Sequence, residues 1–147
     1  MFNLTNKYLI FFLFILFGLI LRFYNINFDN YWYDEIISFW VASPAHSLSE
    51  SIDIHNRIEI NTYTYSFLLK YYYQIFGYDA VFGRYLSLIF SFASLIISSF
   101  FFKDQKTSNA KFLLIFLLSF NIYLISYSQE ARVYSILFFF SLCFLLF

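Results

Sequence analysis

The chain has 147 residues, 61% of them hydrophobic and only 12% charged, with a formal net charge of +0. Soluble domains run about 45–50% apolar and about 25% charged, so this composition predicts an integral membrane protein. A balanced charge offers no footing for a nucleic-acid partner, and the single Cys143 excludes an internal disulfide framework.

The 24 Phe and 14 Tyr accompany a single Pro, and together they read as compositional bias. Aromatic abundance is therefore no sign by itself of sugar platforms or interface belts. Lys7 precedes an apolar run, Tyr8–Leu21, that closes on Arg22, Phe23 and Tyr24. At about 1.5 Å per residue, positions 8–24 reach roughly 25 Å, enough to span if Lys7 and Arg22 snorkel. A cleaved signal peptide is the alternative, but no Ala-x-Ala-like site follows, and a retained signal-anchor is expected.

Residues 25–83 form a long mixed segment, expected to be an external loop. Within it Trp32, Ile36, Phe39 and Trp40 fall at i, i+4, i+7 and i+8, while Asp34, Glu35 and Ser38 take the other face. That pattern predicts an amphipathic helix at the membrane interface. Ser43-Pro44 predicts the start of a second short helix carrying Leu48 and Ile52 on one face. The stretch Tyr63–Phe76 either lies flat or enters the bilayer, where its central Lys70 costs about 2.5–3.5 kcal/mol on insertion scales.

The loop Lys103–Lys111 carries three Lys and one Asp, which makes it cytoplasmic by the positive-inside rule. The uncharged runs 86–102 and 112–128 then form a hairpin whose outer ends face away from the cytosol. A flat Tyr63–Phe76 keeps the end of the first span on that same side, and this is the placement expected. Ser87, Ser91, Ser94 and Ser98 repeat at helical spacing, a small-residue face suited to close packing. Residues 133–147 begin a fourth span and are still apolar at Phe147. The expectation is therefore an N-terminal part of a longer protein.

Two acidic clusters fall on the external side in this topology. One is Asp34-Glu35, a few residues beyond the first span, where a charge beside hydrocarbon marks a functional suspect. The other is Tyr127-Ser128-Gln129-Glu130-Ala131-Arg132-Val133-Tyr134, which separates two apolar runs without Gly or Pro. The plainer alternative for the second cluster is a surface turn whose Glu130 and Arg132 are solvated. The functional reading is a pocket whose carboxylates bind a divalent metal or take a proton from a hydroxyl. Glu59 is a third acidic candidate. His46 and His55, nine positions apart, match no compact metal motif, and no P-loop, Gly-rich fingerprint or nucleophile elbow occurs.

The order of an apolar span, Trp32-Tyr33-Asp34-Glu35, Phe76-Gly77, Arg84-Tyr85-Leu86-Ser87 and the Tyr127–Tyr134 stretch resembles bacterial GT-C glycosyltransferases. Within them it is most similar to glycosyltransferase family 39, the group of protein O-mannosyltransferases and the aminoarabinose transferase of lipid A. The resemblance implies an all-α polytopic membrane protein of the bacterial inner membrane, with a long first external loop carrying amphipathic juxtamembrane helices. It implies a polyprenyl-phosphate-linked sugar as donor and a glycan, lipid or protein acceptor on the non-cytoplasmic face.

By position, Asp34 with Glu35 corresponds to the family's catalytic acid of the first loop. Asp34, Glu130 and Glu59 become candidate ligands of a divalent metal. Arg132, Arg84 and Lys70 are the candidate cations for the donor phosphate. The chain departs from the family at Asn61-Thr62-Tyr63-Thr64-Tyr65, which lacks the proline-rich stretch expected after Glu59. The rival reading is a non-enzymatic transporter or assembly protein for lipid-linked glycans.

Overall fold

A computed structural model describes residues 4–59, 62–100 and 108–146, and every regular element among them is helical. In chain order these are α1 (Leu4–Phe23), α2 (Tyr33–Val41), α3 (Leu48–Ile58), α4 (Thr64–Phe76), α5 (Ala80–Ser98), α6 (Ser108–Phe120), α7 (Ile122–Ser128) and α8 (Tyr134–Leu146). The basic loop 103–107, the Ile60-Asn61 pair beside Glu59 and the span ends expected at 101, 102 and 147 lie outside the described residues. So does the side chain of Lys7.

The helix α5 is the one described helix long and apolar enough to cross a bilayer by itself. Residues Asn109–Phe120 and Ile122–Ser128 make a second such element if their 53° bend is counted within one broken span. Tyr8–Phe23 and Tyr134–Leu146 are shorter apolar helices. On α5, serines share the interior with Leu86, Leu88 and Leu95. Ser87, Ser91, Ser94 and Ser98 are all buried, whereas Ile89 and Ile96 are exposed, as are Leu137, Phe140 and Phe144 on α8. Small residues inward let α5 approach its neighbours closely, and its contact with α8 is the most extensive between helices among the described residues.

The loop helices likewise bury polar side chains. The helix α2 buries Glu35, Ser38 and Val41, packs Phe39 against the core, and leaves Trp32, Ile36 and Trp40 about half exposed. Its amphipathic pattern is present, with the polar face toward the protein. The helix α3 starts at Leu48 and not at Pro44. Ser47 accepts from the Glu50 amide while the Glu50 carboxylate accepts from the Ser47 amide, a reciprocal cap that Ser43-Pro44 cannot supply. Its buried residues are Ser51 and His55, with Leu48 exposed.

Two expected spans also shift. The helix α5 begins at Ala80, because Asp79 caps it by accepting from the Val81 amide, and Gly83 and Arg84 thereby become helical. The run 112–128 is broken at Asn121, whose extended backbone and side-chain cap on the Leu124 amide start α7 afresh. Ala42, Tyr65, Leu69, Tyr73, Leu86, Val133 and Ile136 form a core that ties α2 and α4 onto α5 and α8. This core packs the C-terminal end of α2 against Val133 and α8.

Candidate functional site

The carboxylate of Glu35 is fully buried and accepts from four donors. Arg84 gives Nε to Oε1 at 2.9 Å and Nη2 to Oε2 at 2.7 Å; the Ala131 amide adds 2.7 Å and the Trp32 amide 3.3 Å. Arg84 is equally complete. Its remaining N–H groups reach the carbonyls of Ile26, Asp29 and Asn30, so each of the five has an acceptor. The Tyr31 ring lies 5.1 Å from the guanidinium carbon. A carboxylate and a guanidinium satisfied in this way hold structure together.

Asp34 sits one residue earlier and differs in kind. Its side chain is 36% exposed, with Oδ2 3.6 Å from Arg132 Nη2. Arg132 Nη1 donates to Glu59 Oε1 at 2.5 Å, to the Asp34 carbonyl at 3.1 Å and to Ser38 Oγ at 3.4 Å. Its Nε is buried without a partner among the described residues. Asp34, Glu59 and Arg132, far apart in sequence, therefore meet at one place, and the guanidinium between the two acids has donor capacity left over.

The other expected residues are placed elsewhere. Lys70 is buried, and its ammonium donates to the carbonyls of Ser43 at 2.6 Å and His46 at 2.7 Å. It clasps the turn after α2, and burial lowers its pKa from the usual amine value. Glu130 lines an open polar cleft of about 470 Å³ together with Asp29, Asn30, Ser126 and the Glu35–Arg84 pair, which forms part of its wall. Neither Asp34 nor Glu59 lines that cleft. Burial raises the Glu130 carboxyl above the ordinary carboxylate value, and the nearby charge of Glu35 adds to it.

Of the three acids named as candidate metal ligands, Asp34 and Glu59 meet at Arg132, while Glu130 lines the cleft. Among the described residues no group of three or more His, Cys, Asp or Glu is placed to hold a metal ion.

Two residues passed over in the sequence organise the site. The side-chain amide of Gln129 donates through Nε2 to the carbonyls of Leu21, Arg22 and Tyr24 and so closes the C-terminus of α1. Gly83 allows α5 to pass against Tyr31, Tyr73 and Ala131; a Cβ there would collide with both hydroxyls and lie 3.3 Å from the Ala131 methyl. The Gln-Glu-Ala-Arg insert is thereby explained residue by residue. Gln129 caps α1, Glu130 faces the cleft, the Ala131 amide meets Glu35, and Arg132 meets Asp34 and Glu59. No protein-family model, curated protein or solved structure matches this chain.

Proposed function

We propose that the protein is a multi-pass membrane glycosyltransferase that moves a sugar from a polyprenyl-phosphate donor to an acceptor hydroxyl on the non-cytoplasmic face. The observation that carries this reading is the contrast between the two acid–arginine pairs. Glu35–Arg84 is closed and complete, whereas Asp34–Arg132 is half open, with an accessible carboxylate beside an arginine that has an unpartnered Nε.

Asp34 accepts the proton as the acceptor oxygen attacks the anomeric carbon. The bond from that carbon to the phosphate oxygen breaks on the opposite face, and polyprenyl phosphate leaves with the electron pair. Arg132 orients Asp34 through its backbone carbonyl and supplies positive charge beside the departing phosphate. All three cations named for the phosphate are bound within the chain, and Arg132 is favoured because it adjoins the partly exposed Asp34 carboxylate. A lipid-linked donor also suits a site built on short helices with outward aromatic faces, next to apolar spans.

The test is transfer by the intact purified protein in detergent, with undecaprenyl-phosphate mannose and undecaprenyl-phosphate glucose as donors. In detergent no translocation can be scored, so turnover separates an enzyme from a carrier. Transfer that disappears in Asp34→Asn supports the assignment; full transfer in that variant removes Asp34 from the chemistry.

A further inference from the structure

Arg22 is 1% exposed and has no carboxylate among its hydrogen-bond partners. Its guanidinium reaches three other places. Nε donates to Ser91 Oγ on α5 at 2.8 Å, Nη1 to the Gly18 carbonyl one turn back at 2.9 Å and to the Ser119 carbonyl at 3.1 Å, and Nη2 to the Leu118 carbonyl at 2.7 Å.

The last two contacts coincide with the break in the α6–α7 pair. With Asn121 extended, the α7 amides no longer reach back four residues to Leu118 and Ser119. In an apolar environment no water replaces the lost amides, so a carbonyl left without a donor is strongly unfavourable. The end of α6 also concentrates partial negative charge there, which a cation offsets. Gly18 makes the approach possible, since a Cβ at that position would lie 2.9 Å from the Ser119 Cβ.

We propose that Arg22 is a positioning residue: by capping the broken end of α6 it sets the 53° turn into α7, and so fixes where the Gln129–Arg132 loop meets α2. The chain of contacts is continuous. Arg22 holds α6, α7 leads into Gln129, and Gln129 returns to the carbonyl of Arg22 itself at 3.1 Å. Just beyond, the Ala131 amide and the Arg132 side chain reach Glu35 and Asp34. In this arrangement Arg22 acts on Asp34 without touching it. The role in catalysis rests on the proposed transferase reading; the role in positioning does not.

The test is hydrogen exchange of the intact protein in detergent, compared among wild type, Arg22→Met and Arg22→Lys. Met fills similar space without a buried charge but leaves the Leu118 and Ser119 carbonyls uncapped; Lys keeps a donor. The expected result is at least tenfold faster exchange in Arg22→Met at residues 121–132, with α5 and α8 as protected as in wild type, and recovery of protection in Arg22→Lys. Unchanged protection at 129–132 in Arg22→Met overturns the proposal.

If Arg22→Met loses protection everywhere, Gly18→Ala decides. Its methyl presses on Ser119 and parts Arg22 from the α6 carbonyls, and it must loosen 121–132 selectively for the proposal to stand. Transfer from undecaprenyl-phosphate mannose and undecaprenyl-phosphate glucose is then followed in the same preparations. A fall in kcat at constant KM is expected for Arg22→Met. Selective loss of protection without transfer in wild type would instead count against the transferase reading alone.

Discussion

Glu35 and Arg84, 49 positions apart, face each other through two parallel hydrogen bonds of 2.7 and 2.9 Å, with side-chain exposures of 0% and 7%. The pair joins α2 to α5, and the Ala131 amide binds the same carboxylate from the α7–α8 loop. Three segments of the site are therefore referenced to one buried charge pair. Removing one member leaves the other without compensation, a loss of about 3–5 kcal/mol. Glu35→Ala is expected to lower the thermal midpoint in detergent by about 10 °C, using the stability-to-midpoint scaling of domains this size. A midpoint within a degree of wild type would show that the pair does not hold the site.

Asp34 should behave in the opposite way. Its side chain is partly exposed, its closest charged contact is 3.6 Å, and the Arg132 bond to its backbone carbonyl survives substitution. An exposed ion pair contributes about 0–1 kcal/mol. Asp34→Asn is therefore expected to leave the midpoint nearly unchanged while transfer falls about 100-fold or more, the range for loss of a general base. Midpoint and transfer measured on one preparation check both halves.

Arg132→Lys keeps the charge and discards the fork. A lysine cannot span Glu59, Ser38 and the Asp34 carbonyl in the geometry Arg132 uses. On the proposed transferase reading, transfer is expected to fall at least tenfold, with a larger effect on kcat than on KM because Asp34 is misaligned. Wild-type kinetics in Arg132→Lys would mean that charge alone suffices.

Gly83→Ala tests the close approach of α5 to the loop segments. The added methyl must displace Tyr31 and Tyr73, which lie against α5 at this point, and press on Ala131. Overpacking of this kind costs about 1–3 kcal/mol. A lowered midpoint is expected in Gly83→Ala, together with faster exchange of the Ala131 amide, which reports the contact with Glu35.

Glu130 gives a pH dependence. Its folded pKa is raised, chiefly by burial, so the ionised form is disfavoured in the folded chain. As pH rises from the unfolded carboxyl value of about 4.3 through the raised folded value, the unfolded state loses its proton first and stability declines. Above that window the deficit is constant; below it there is none. Glu130→Gln is expected to raise the thermal midpoint at pH 7 relative to wild type, and the difference should shrink as pH falls through the window. An equal difference at pH 7 and pH 4 would assign the effect to something other than ionisation.

The helical class was legible in the sequence because long uncharged runs satisfy their backbone groups only by coiling on themselves. The amphipathic pattern of α2 was legible for a similarly local reason: Trp32, Ile36 and Trp40 repeat at helical period. Helix starts at Leu48 and Ala80 were open to a closer reading of caps, since Ser47-x-x-Glu50 and Asp79 carry the signal within a few residues. What decides an exact start is a competition between neighbouring caps, and that depends on which of them the folded chain leaves free.

The assignment of charge to partner lay beyond the sequence. Composition and spacing mark Asp34, Glu35, Arg84 and Arg132 as costly near hydrocarbon, but they do not say which acid takes which arginine. Packing of α5 against α2 and the α7–α8 loop makes that choice. It buries Glu35 with Arg84 and leaves Asp34 half open beside Arg132. The same holds for Arg22, whose expected escape to the interface is replaced by capture at the broken end of α6. Local sequence determines which groups must be satisfied. Only the tertiary structure, by bringing segments about 50 to 100 residues apart within hydrogen-bond distance, decides by whom.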